Sequence, residues 1–158
     1  MLKKKIKKNK TVRLLRGERV LFVCYGNHAR SPMAEGLARK IFGRDVRVES
    51  AGVNPLFEGA ADFAVQVMKE EYGIDISAHL PKHVRDVDMN RMDYIVAMDP
   101  AVHEILFKIH LVPRENLILW KIEDPFSLGL QNYLKTAEKL LNKIQVTFDT
   151  SALSSPNS

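Results

Sequence analysis

A single cysteine is followed closely by residue types that bind oxyanions. Cys24 precedes Gly26 and Asn27, and Arg30 lies six residues after it. Since Gly and Asn tolerate positive φ values, the backbone between Cys24 and Arg30 can form a tight turn whose N–H groups converge. A guanidinium is a planar, bidentate donor that fits a tetrahedral oxyanion. We therefore predict a phosphate-binding loop made of Tyr25, Gly26, Asn27, His28, Ala29, Arg30 and Ser31.

The same turn favours nucleophilic chemistry at sulfur. Ser31 followed by Pro32 is typical of a helix start, with Ser31 as the N-cap and Pro32 as the first helical residue. The partial positive charge of a helix N-terminus favours both a bound anion and a cysteine thiolate. Asp124, which precedes Pro125, is a candidate to protonate a leaving alcohol. These residue types fit attack of the Cys24 thiolate on phosphorus.

Each of these residues also has a simpler explanation. A lone cysteine at a strand end is most often a small buried hydrophobe. An aspartate before a proline is commonly an ordinary turn residue. His79 and His83 have the spacing of metal ligands on a helix, but no third ligand is near them in sequence, so no metal site is predicted. We favour the interpretation as a phosphate-binding, nucleophilic site because a predicted strand precedes the turn and a predicted helix start follows it.

Buried strands must position this turn. Apolar, β-branched runs predict strands at 19–24, 46–49, 94–98 and 117–120. Helical spacing and turn residues predict helices at 31–43, 60–72, 84–92, 100–110 and 130–146. This alternation predicts an α/β fold: a single domain with a four-stranded parallel sheet and helices on both faces. Ligands of such sheets bind beyond the carboxyl ends of the strands; Cys24 is the last residue of the first strand, and Asp124 follows the fourth.

The composition indicates one globular domain in a reducing setting. The chain has 158 residues, of which 46% are hydrophobic and 27% are charged. No apolar run approaches the roughly 20 residues that span a bilayer, and the basic start lacks the apolar stretch of a secretory signal. One cysteine excludes an internal disulfide and a multi-cysteine zinc site. We therefore expect a cytoplasmic protein that does not associate with membranes.

The positive charge of the chain is located at its amino end. The formal net charge is +5, yet six lysines stand among the first ten residues, and without them 18 basic residues face 19 acidic ones. We predict a basic, partly disordered arm at 1–18, the folded domain at 19–149 and a polar tail at 150–158. Nucleic acid is expected as a partner only through the lysine arm. The sequence predicts no particular oligomeric state.

Residues 20–146 resemble the low-molecular-weight protein tyrosine phosphatase family. The resemblance rests on Val-Leu-Phe-Val-Cys-x-Gly-Asn-x-x-Arg-Ser-Pro-Met-Ala-Glu-Gly at 20–36, and on four shorter matches. These are Glu49-Ser50-Ala51-Gly52, Ile76-Ser77-Ala78-His79, Val96-Ala97-Met98-Asp99 and Asp124-Pro125. The resemblance implies a hydrolase that cleaves phosphotyrosine or other aryl phosphomonoesters through a phosphocysteine intermediate, without metal or cofactor. The implied substrate is a phosphorylated protein or a small aryl phosphate.

The resemblance also implies roles for individual residues. Cys24 would be the nucleophile, Arg30 would bind the phosphate, and Asp124 would act first as general acid and then as general base. The polar side chains that would hold the shape of the loop are Asn27, Ser31, Ser50 and His79. The aromatic side chains that would wall the substrate pocket are Tyr25 and Phe126.

Three positions depart from the family pattern. Ala29 stands where members often have a second cysteine, so no disulfide can protect Cys24 from oxidation. Phe126 and Ser127 replace two tyrosines of eukaryotic members. Tyr25 stands where a smaller residue usually follows the nucleophile, and it narrows or redirects the pocket.

Three alternatives remain open at this point. Arsenate reductases that resemble this family pass electrons through further cysteines, so only a reductase that uses an external thiol fits this chain. Protein-arginine phosphatases carry a small threonine where this chain has Tyr25. The third alternative is a non-catalytic module that binds phosphate, although such a module needs neither a thiolate nor a proton donor.

Overall fold

The protein is described here by a computed structural model that covers residues 11–154. The predicted lysine-rich part of the arm at 1–10 and the end of the predicted tail at 155–158 lie outside the described residues. No helix within the described part of the chain is long and apolar enough to cross a bilayer.

Four parallel strands form the main sheet. In chain order, the strands are β1 (Val12–Arg13), β2 (Arg19–Cys24), β3 (Arg47–Gly52), β4 (Tyr94–Ala97), β5 (Leu117–Leu119) and β6 (Phe148–Asp149). The main sheet has the order β3-β2-β4-β5, and β1 pairs with β6 in a separate two-stranded sheet. β2 lies inside the sheet and is buried on both faces, which explains its continuous apolar sequence.

Helices cover both faces of this sheet, as predicted. They are α1 (Arg30–Phe42), α2 (Asp62–Tyr72), α3 (Pro100–Lys108) and α4 (Leu130–Thr147). Val20 and Phe22 of β2 belong to the core cluster that includes α1, α2 and α4. Leu21 and Val23, which point to the opposite face, belong to the cluster that includes α3. The structure therefore confirms the α/β fold with a four-stranded parallel sheet.

Local sequence signals set the helix ends. The Asp99 carboxylate accepts the Val102 N–H at 2.9 Å, and Pro100 occupies the first turn of α3. Gly43 and Gly73 follow α1 and α2 with φ values of 68° and 66°. Glycine adopts these left-handed conformations without steric cost, so both helices end where the sequence predicts.

The helix predicted at 84–92 is wrong. The segment instead forms two short 3₁₀ turns, Val84–Asp86 and Met89–Arg91. The ring of His83 accepts the Arg85 N–H, and the Asp88 carboxylate accepts the Asn90 N–H. These local side-chain bonds favour tight turns over a continuous helix.

The ordered fold begins before residue 19, where the sequence analysis places the start of the domain. β1 pairs with β6, and Leu14, which follows β1, is fully buried in the core. The Thr11 hydroxyl donates to the Val146 carbonyl at 3.1 Å, and the Gly17 N–H donates to the Asp45 carbonyl at 2.7 Å. A two-residue strand has no detectable alternation, which is why this segment could not be recognised in the sequence.

The start of the predicted tail also contacts the fold. The Ser154 N–H donates to the Asp45 carboxylate at 2.7 Å. This bond is the main reason that the pKa of Asp45 lies below its ordinary value.

Candidate active site

The cysteine lies at the carboxyl end of β2, where the chain turns into α1. Cys24 is 2% exposed, and Asn27 in the turn has a φ of 51°. Gly52 is the register partner of Cys24 on β3. A Cβ atom on Gly52 would lie 2.8 Å from the Asn27 nitrogen and 2.9 Å from the Tyr25 carbonyl oxygen. Only glycine therefore permits the turn to pack this closely on β3.

Two donors contact the sulfur atom. The Asn27 N–H donates to Cys24 Sγ at 3.2 Å, and Ser31 Oγ lies 3.0 Å from the same atom. Ser31 Oγ also accepts the side-chain N–H of Asn27 at 2.8 Å. Because that bond uses a lone pair of the hydroxyl, its proton can be donated either to the sulfur at 3.0 Å or to the Ala51 carbonyl at 3.4 Å. The sulfur thus accepts a backbone N–H and has a hydroxyl group within hydrogen-bond distance.

The predicted N-cap role of Ser31 is wrong. α1 begins at Arg30, and Ala29 occupies the cap position without a side-chain hydrogen bond. Ser31 is fully buried inside the first turn of α1. Its hydroxyl is therefore engaged with Asn27 and Cys24 instead of capping the helix.

Asn27 is held by hydrogen bonds on all of its polar sides. Its side-chain N–H donates to Ser50 Oγ at 3.0 Å, and its side-chain oxygen accepts the main-chain N–H of Lys82 at 3.0 Å. The ring of His79 bonds the Asn27 carbonyl through Nε2 at 2.9 Å. Because a carbonyl only accepts, His79 Nε2 carries the proton. This network fixes a residue whose positive φ would otherwise be costly.

The sequence predicts this cluster only in part. Asn27, Ser31, Ser50 and His79, which the family resemblance implies as loop supports, all lie within it. The Lys82 backbone was missed, since a main-chain donor leaves no signature in the residue type.

Arg30 is the first residue of α1 and is 3% exposed. Its NH1 donates to the Asp99 carboxylate at 2.7 Å and to the Ile122 carbonyl at 2.9 Å. Its NH2 lies 3.5 Å from the carboxylate of Asp124. In the sequence, Asp99 was identified as the start of a helix and as part of the family match at 96–99, without a role in the site. Its place after β4 is a signal for a site residue, because parallel strands end at one edge.

Asp124 lies at the mouth of the site with its side chain 49% exposed. One of its carboxylate oxygens accepts the Phe126 N–H at 3.1 Å, and the other faces Arg30. The Ile122 N–H donates to the Met98 carbonyl at 2.8 Å, which anchors the segment between β5 and Asp124. The structure thus brings Cys24, Arg30 and Asp124 to one place.

A cavity of about 190 Å³ opens above these three residues. Its walls are mainly aromatic or apolar, and its lining residues include Tyr25, His28, Leu56, Phe57 and Phe126. The rings of His28 and Phe57 stack with centroids 4.1 Å apart, and Phe126 lies 5.7 Å from Phe57. The cavity therefore combines aromatic and apolar walls with a base that contains Cys24 and Arg30.

Hydrogen bonds tie the wall residues to the loop that follows β3. The Tyr25 hydroxyl accepts the side-chain N–H of Asn54 at 2.9 Å, and His28 Nδ1 bonds the Gly59 carbonyl at 2.7 Å. Sequence reasoning identified Tyr25 and Phe126 as wall residues but missed His28 as a wall and Phe57 altogether. An isolated aromatic residue in an irregular loop has no periodic pattern that could reveal it.

No cluster of three or more histidine, cysteine or acidic side chains in the described part of the chain can hold a metal ion. His79 bonds the backbone of Asn27, and His83 accepts the Arg85 N–H, so the two histidines serve separate structural roles.

Comparison with known proteins finds one matching family and three similar proteins. Residues 19–152 match the family described as low molecular weight phosphotyrosine protein phosphatase. A low molecular weight protein tyrosine phosphatase from T. tengcongensis is 39% identical, with 82% of this chain and 96% of that chain covered and a TM-score of 0.75. Arsenate reductase 2 from Staphylococcus saprophyticus is 29% identical over 82% of this chain and 95% of its own length. The arginine phosphatase YwlE from Geobacillus stearothermophilus is 25% identical, with 81% and 88% covered and a TM-score of 0.74.

Proposed function

The chain belongs to the low molecular weight phosphotyrosine protein phosphatase family, and on that premise we propose that it hydrolyses phosphotyrosine and other aryl phosphomonoesters at Cys24. The observation that supports this proposal is the combination of a doubly hydrogen-bonded sulfur at the base of the cavity with aromatic walls above it. The phosphate would bind the N–H groups of the turn and Arg30, while the aryl group would lie between the aromatic walls of the cavity.

The first step transfers the phosphoryl group to sulfur. The Cys24 thiolate attacks phosphorus, so an S–P bond forms while the bond between phosphorus and the aryl oxygen breaks. Asp124 gives its proton to that oxygen, and the alcohol leaves neutral. The exposed position of Asp124 at the cavity mouth supports this role, because a leaving alcohol would depart toward solvent.

The second step releases inorganic phosphate. Asp124, now a carboxylate, removes a proton from a water molecule that attacks phosphorus, and the S–P bond breaks to restore the thiolate. Arg30 and the N–H groups of the turn hold the equatorial oxygens in both steps. Asp99 and Ile122 engage NH1 of Arg30, and NH2 faces the Asp124 carboxylate, so the Nε–H and the second N–H of NH2 are left for the phosphate.

The cavity walls favour an aryl group over the other substrates that the relatives' names suggest. Tyr25, Phe57 and Phe126 present ring faces or edges, which match the aromatic ring of phosphotyrosine. Arsenate reduction needs reducing thiols besides the nucleophile, and this chain has a single cysteine. A reductase would therefore depend on an external thiol.

The free thiol of Cys24 also makes a reducing, cytoplasmic setting our expectation.

The test is hydrolysis of p-nitrophenyl phosphate in reducing buffer with a metal chelator. We expect turnover by the wild type, none by Cys24→Ser, and a loss of about 10²- to 10⁴-fold in kcat for Asp124→Ala. Asp86→Ala, which removes an exposed carboxylate elsewhere, should leave kcat unchanged. Full activity of Cys24→Ser would contradict the proposal.

A second experiment separates the candidate substrates. Peptides with phosphotyrosine, phosphoserine or phosphoarginine are compared by kcat/KM, and arsenate is tested with an added small thiol. We expect phosphotyrosine to give the highest kcat/KM. A clear preference for phosphoarginine or arsenate would reassign the substrate, while binding of phosphotyrosine without turnover would identify a phosphate-binding module.

A further inference from the structure

A concavity lined by four arginines lies away from the active site. It has a volume of about 570 Å³, and its charged lining residues are Arg19, Arg39, Arg44, Arg47 and Glu49. Arg19 begins β2, while Cys24 ends it. The length of this strand places the concavity roughly 17 Å from the nucleophile, at the opposite edge of the sheet.

Like charges stand next to each other in this concavity. Arg19 and Arg47 are register partners on adjacent parallel strands, so their side chains leave the same face of the sheet. Among residues 11–154, the guanidinium groups of Arg19, Arg44 and Arg47 make no hydrogen bond or ion pair with the protein. No carboxylate within this part of the chain therefore forms a direct ion pair with these three groups, which repel one another.

The carboxylates nearby are engaged with other groups. Glu49 pairs with the Lys82 ammonium at 2.8 Å. Asp93 accepts the main-chain N–H of Arg19 at 2.8 Å, and the Asp45 carboxylate accepts the Ser154 N–H. The fourth arginine, Arg39, donates to the Val48 carbonyl and pairs with Glu35 at 3.3 Å, which fixes it at the rim of the concavity.

We propose that this concavity binds a ligand with two or more phosphate groups, at a site separate from the active site. Guanidinium groups bind phosphate oxygens through two parallel hydrogen bonds, and several arginines around one concavity match several linked phosphates. A phosphate-bearing ligand would supply direct anionic partners for the guanidinium groups of Arg19, Arg44 and Arg47, because the nearby carboxylates of Glu49, Asp93 and Asp45 bond other groups. The phosphates can belong to a soluble oligophosphate or to the headgroups of anionic lipids.

The test follows inorganic tripolyphosphate binding to the full-length, isotope-labelled protein by amide NMR. We expect saturable shifts at Arg19 and at 43–48. Tripolyphosphate that enters the active site would instead shift 25–31, so the spectrum distinguishes the two sites. Removing both guanidinium groups in an Arg19→Gln, Arg47→Gln double variant should weaken binding at 43–48 by about 100-fold, or tenfold for each group.

Matched variants distinguish a specific binding site from nonspecific electrostatic attraction. An Arg85→Gln, Arg91→Gln double variant makes the same change of charge at exposed positions on the two 3₁₀ turns and should bind like the wild type. An Arg47→Lys variant keeps the charge but loses the planar, bidentate guanidinium group. Its affinity should therefore lie between those of the wild type and the double glutamine variant. Hydrolysis of p-nitrophenyl phosphate should have an unchanged KM in all of these variants.

Vesicles of phosphatidylcholine with phosphatidylglycerol identify the source of the phosphate. Vesicle binding that the Arg19→Gln, Arg47→Gln variant loses, without saturable tripolyphosphate binding, would support the site and assign it to lipid headgroups. Tripolyphosphate binding at 43–48 without vesicle binding would assign it to a soluble oligophosphate. The proposal is overturned if neither probe binds there, or if the Arg85→Gln, Arg91→Gln control weakens binding equally.

Discussion

Ser31 links the shape of the loop to the reactivity of the nucleophile. Its buried hydroxyl accepts from Asn27 and lies 3.0 Å from Cys24 Sγ. A serine at a helix start is ordinarily a cap, and the sequence also suggests that a hydroxyl at this position can donate toward the sulfur. In the proposed mechanism, this contact lets the hydroxyl stabilise the thiolate and the same sulfur when it leaves phosphorus.

Replacing Ser31 with alanine should slow the reaction more than it weakens substrate binding. A hydrogen bond to a charged group contributes about 1.5–3 kcal/mol, so we expect kcat to fall by about 10- to 100-fold with little change in KM. Alkylation of Cys24 by iodoacetamide at neutral pH should slow as well. Ser151→Ala, which removes an exposed hydroxyl after β6, is the matched control. An unchanged alkylation rate in Ser31→Ala would show that the hydroxyl does not act on sulfur.

The residue before Arg30 decides how the enzyme responds to peroxide. Because Ala29 provides no second thiol, a sulfenic acid at Cys24 has no partner in the chain with which to form a disulfide. Further peroxide should therefore produce a sulfinic acid, which dithiothreitol does not reduce. We expect prolonged peroxide treatment to cause an irreversible loss of activity and a mass gain of two oxygen atoms. An Ala29→Cys variant tests the cause, since a neighbouring thiol should restore recovery by dithiothreitol.

At the scale of elements, the edge of the parallel sheet explains why residues distant in sequence meet. β2, β4 and β5 all end at the same edge, so Cys24, Asp99 and Asp124 follow them into one region. β3 ends there too, and it supplies the backbone surface on which the turn packs. The absence of a side chain at Gly52 is thus as necessary for the site as the polar groups are.

Gly52→Ala tests this close approach. Its Cβ would lie 2.8–2.9 Å from three backbone atoms of the turn, none of which can move without changing the loop. We expect a loss of about 1–3 kcal/mol in the free energy of unfolding and at least a tenfold fall in kcat/KM. Gly129→Ala is the control, because nothing lies within 4 Å of the added atom there. Equal activity of both variants would contradict the packing argument.

Most of the secondary-structure elements, but few of the contacts between them, could be predicted from the sequence. Apolar runs and turn residues identified the four main strands, and topology then placed Cys24 and Asp124 together. The contact between Arg30 and Asp99 was not foreseen, because it joins the start of one helix to the start of another, 69 residues apart. Phe57 lies in an irregular loop, where neither periodicity nor capping chemistry constrains the side chain. Long-range contacts and irregular loops therefore account for most of what was missed.

At the scale of the whole molecule, the chain before β2 completes the core. Leu14 is fully buried and belongs to the same cluster as Val20 and Phe22 of the central strand. The two-stranded sheet of β1 and β6 connects this segment to the end of α4. The described segment at 11–18 thus supports the face of the sheet that α1 covers, while Cys24 lies at the far end of β2.

Removal of residues 1–10 and substitution of Leu14 should therefore affect stability differently. Removal of residues 1–10 takes away six lysines, while the strands, helices, core clusters and candidate site are formed within 11–154, so we expect an unchanged melting temperature and unchanged turnover of p-nitrophenyl phosphate. Leu14→Ala should cost about 2–5 kcal/mol of unfolding free energy, because it leaves a cavity in the core. Leu15→Ala, at a neighbouring residue that is 39% exposed, should cost far less. Denaturant unfolding of the three variants measures these differences. Loss of turnover on removal of 1–10 would assign the lysines a part in catalysis, and a stable Leu14→Ala variant would show that the core does not depend on this segment.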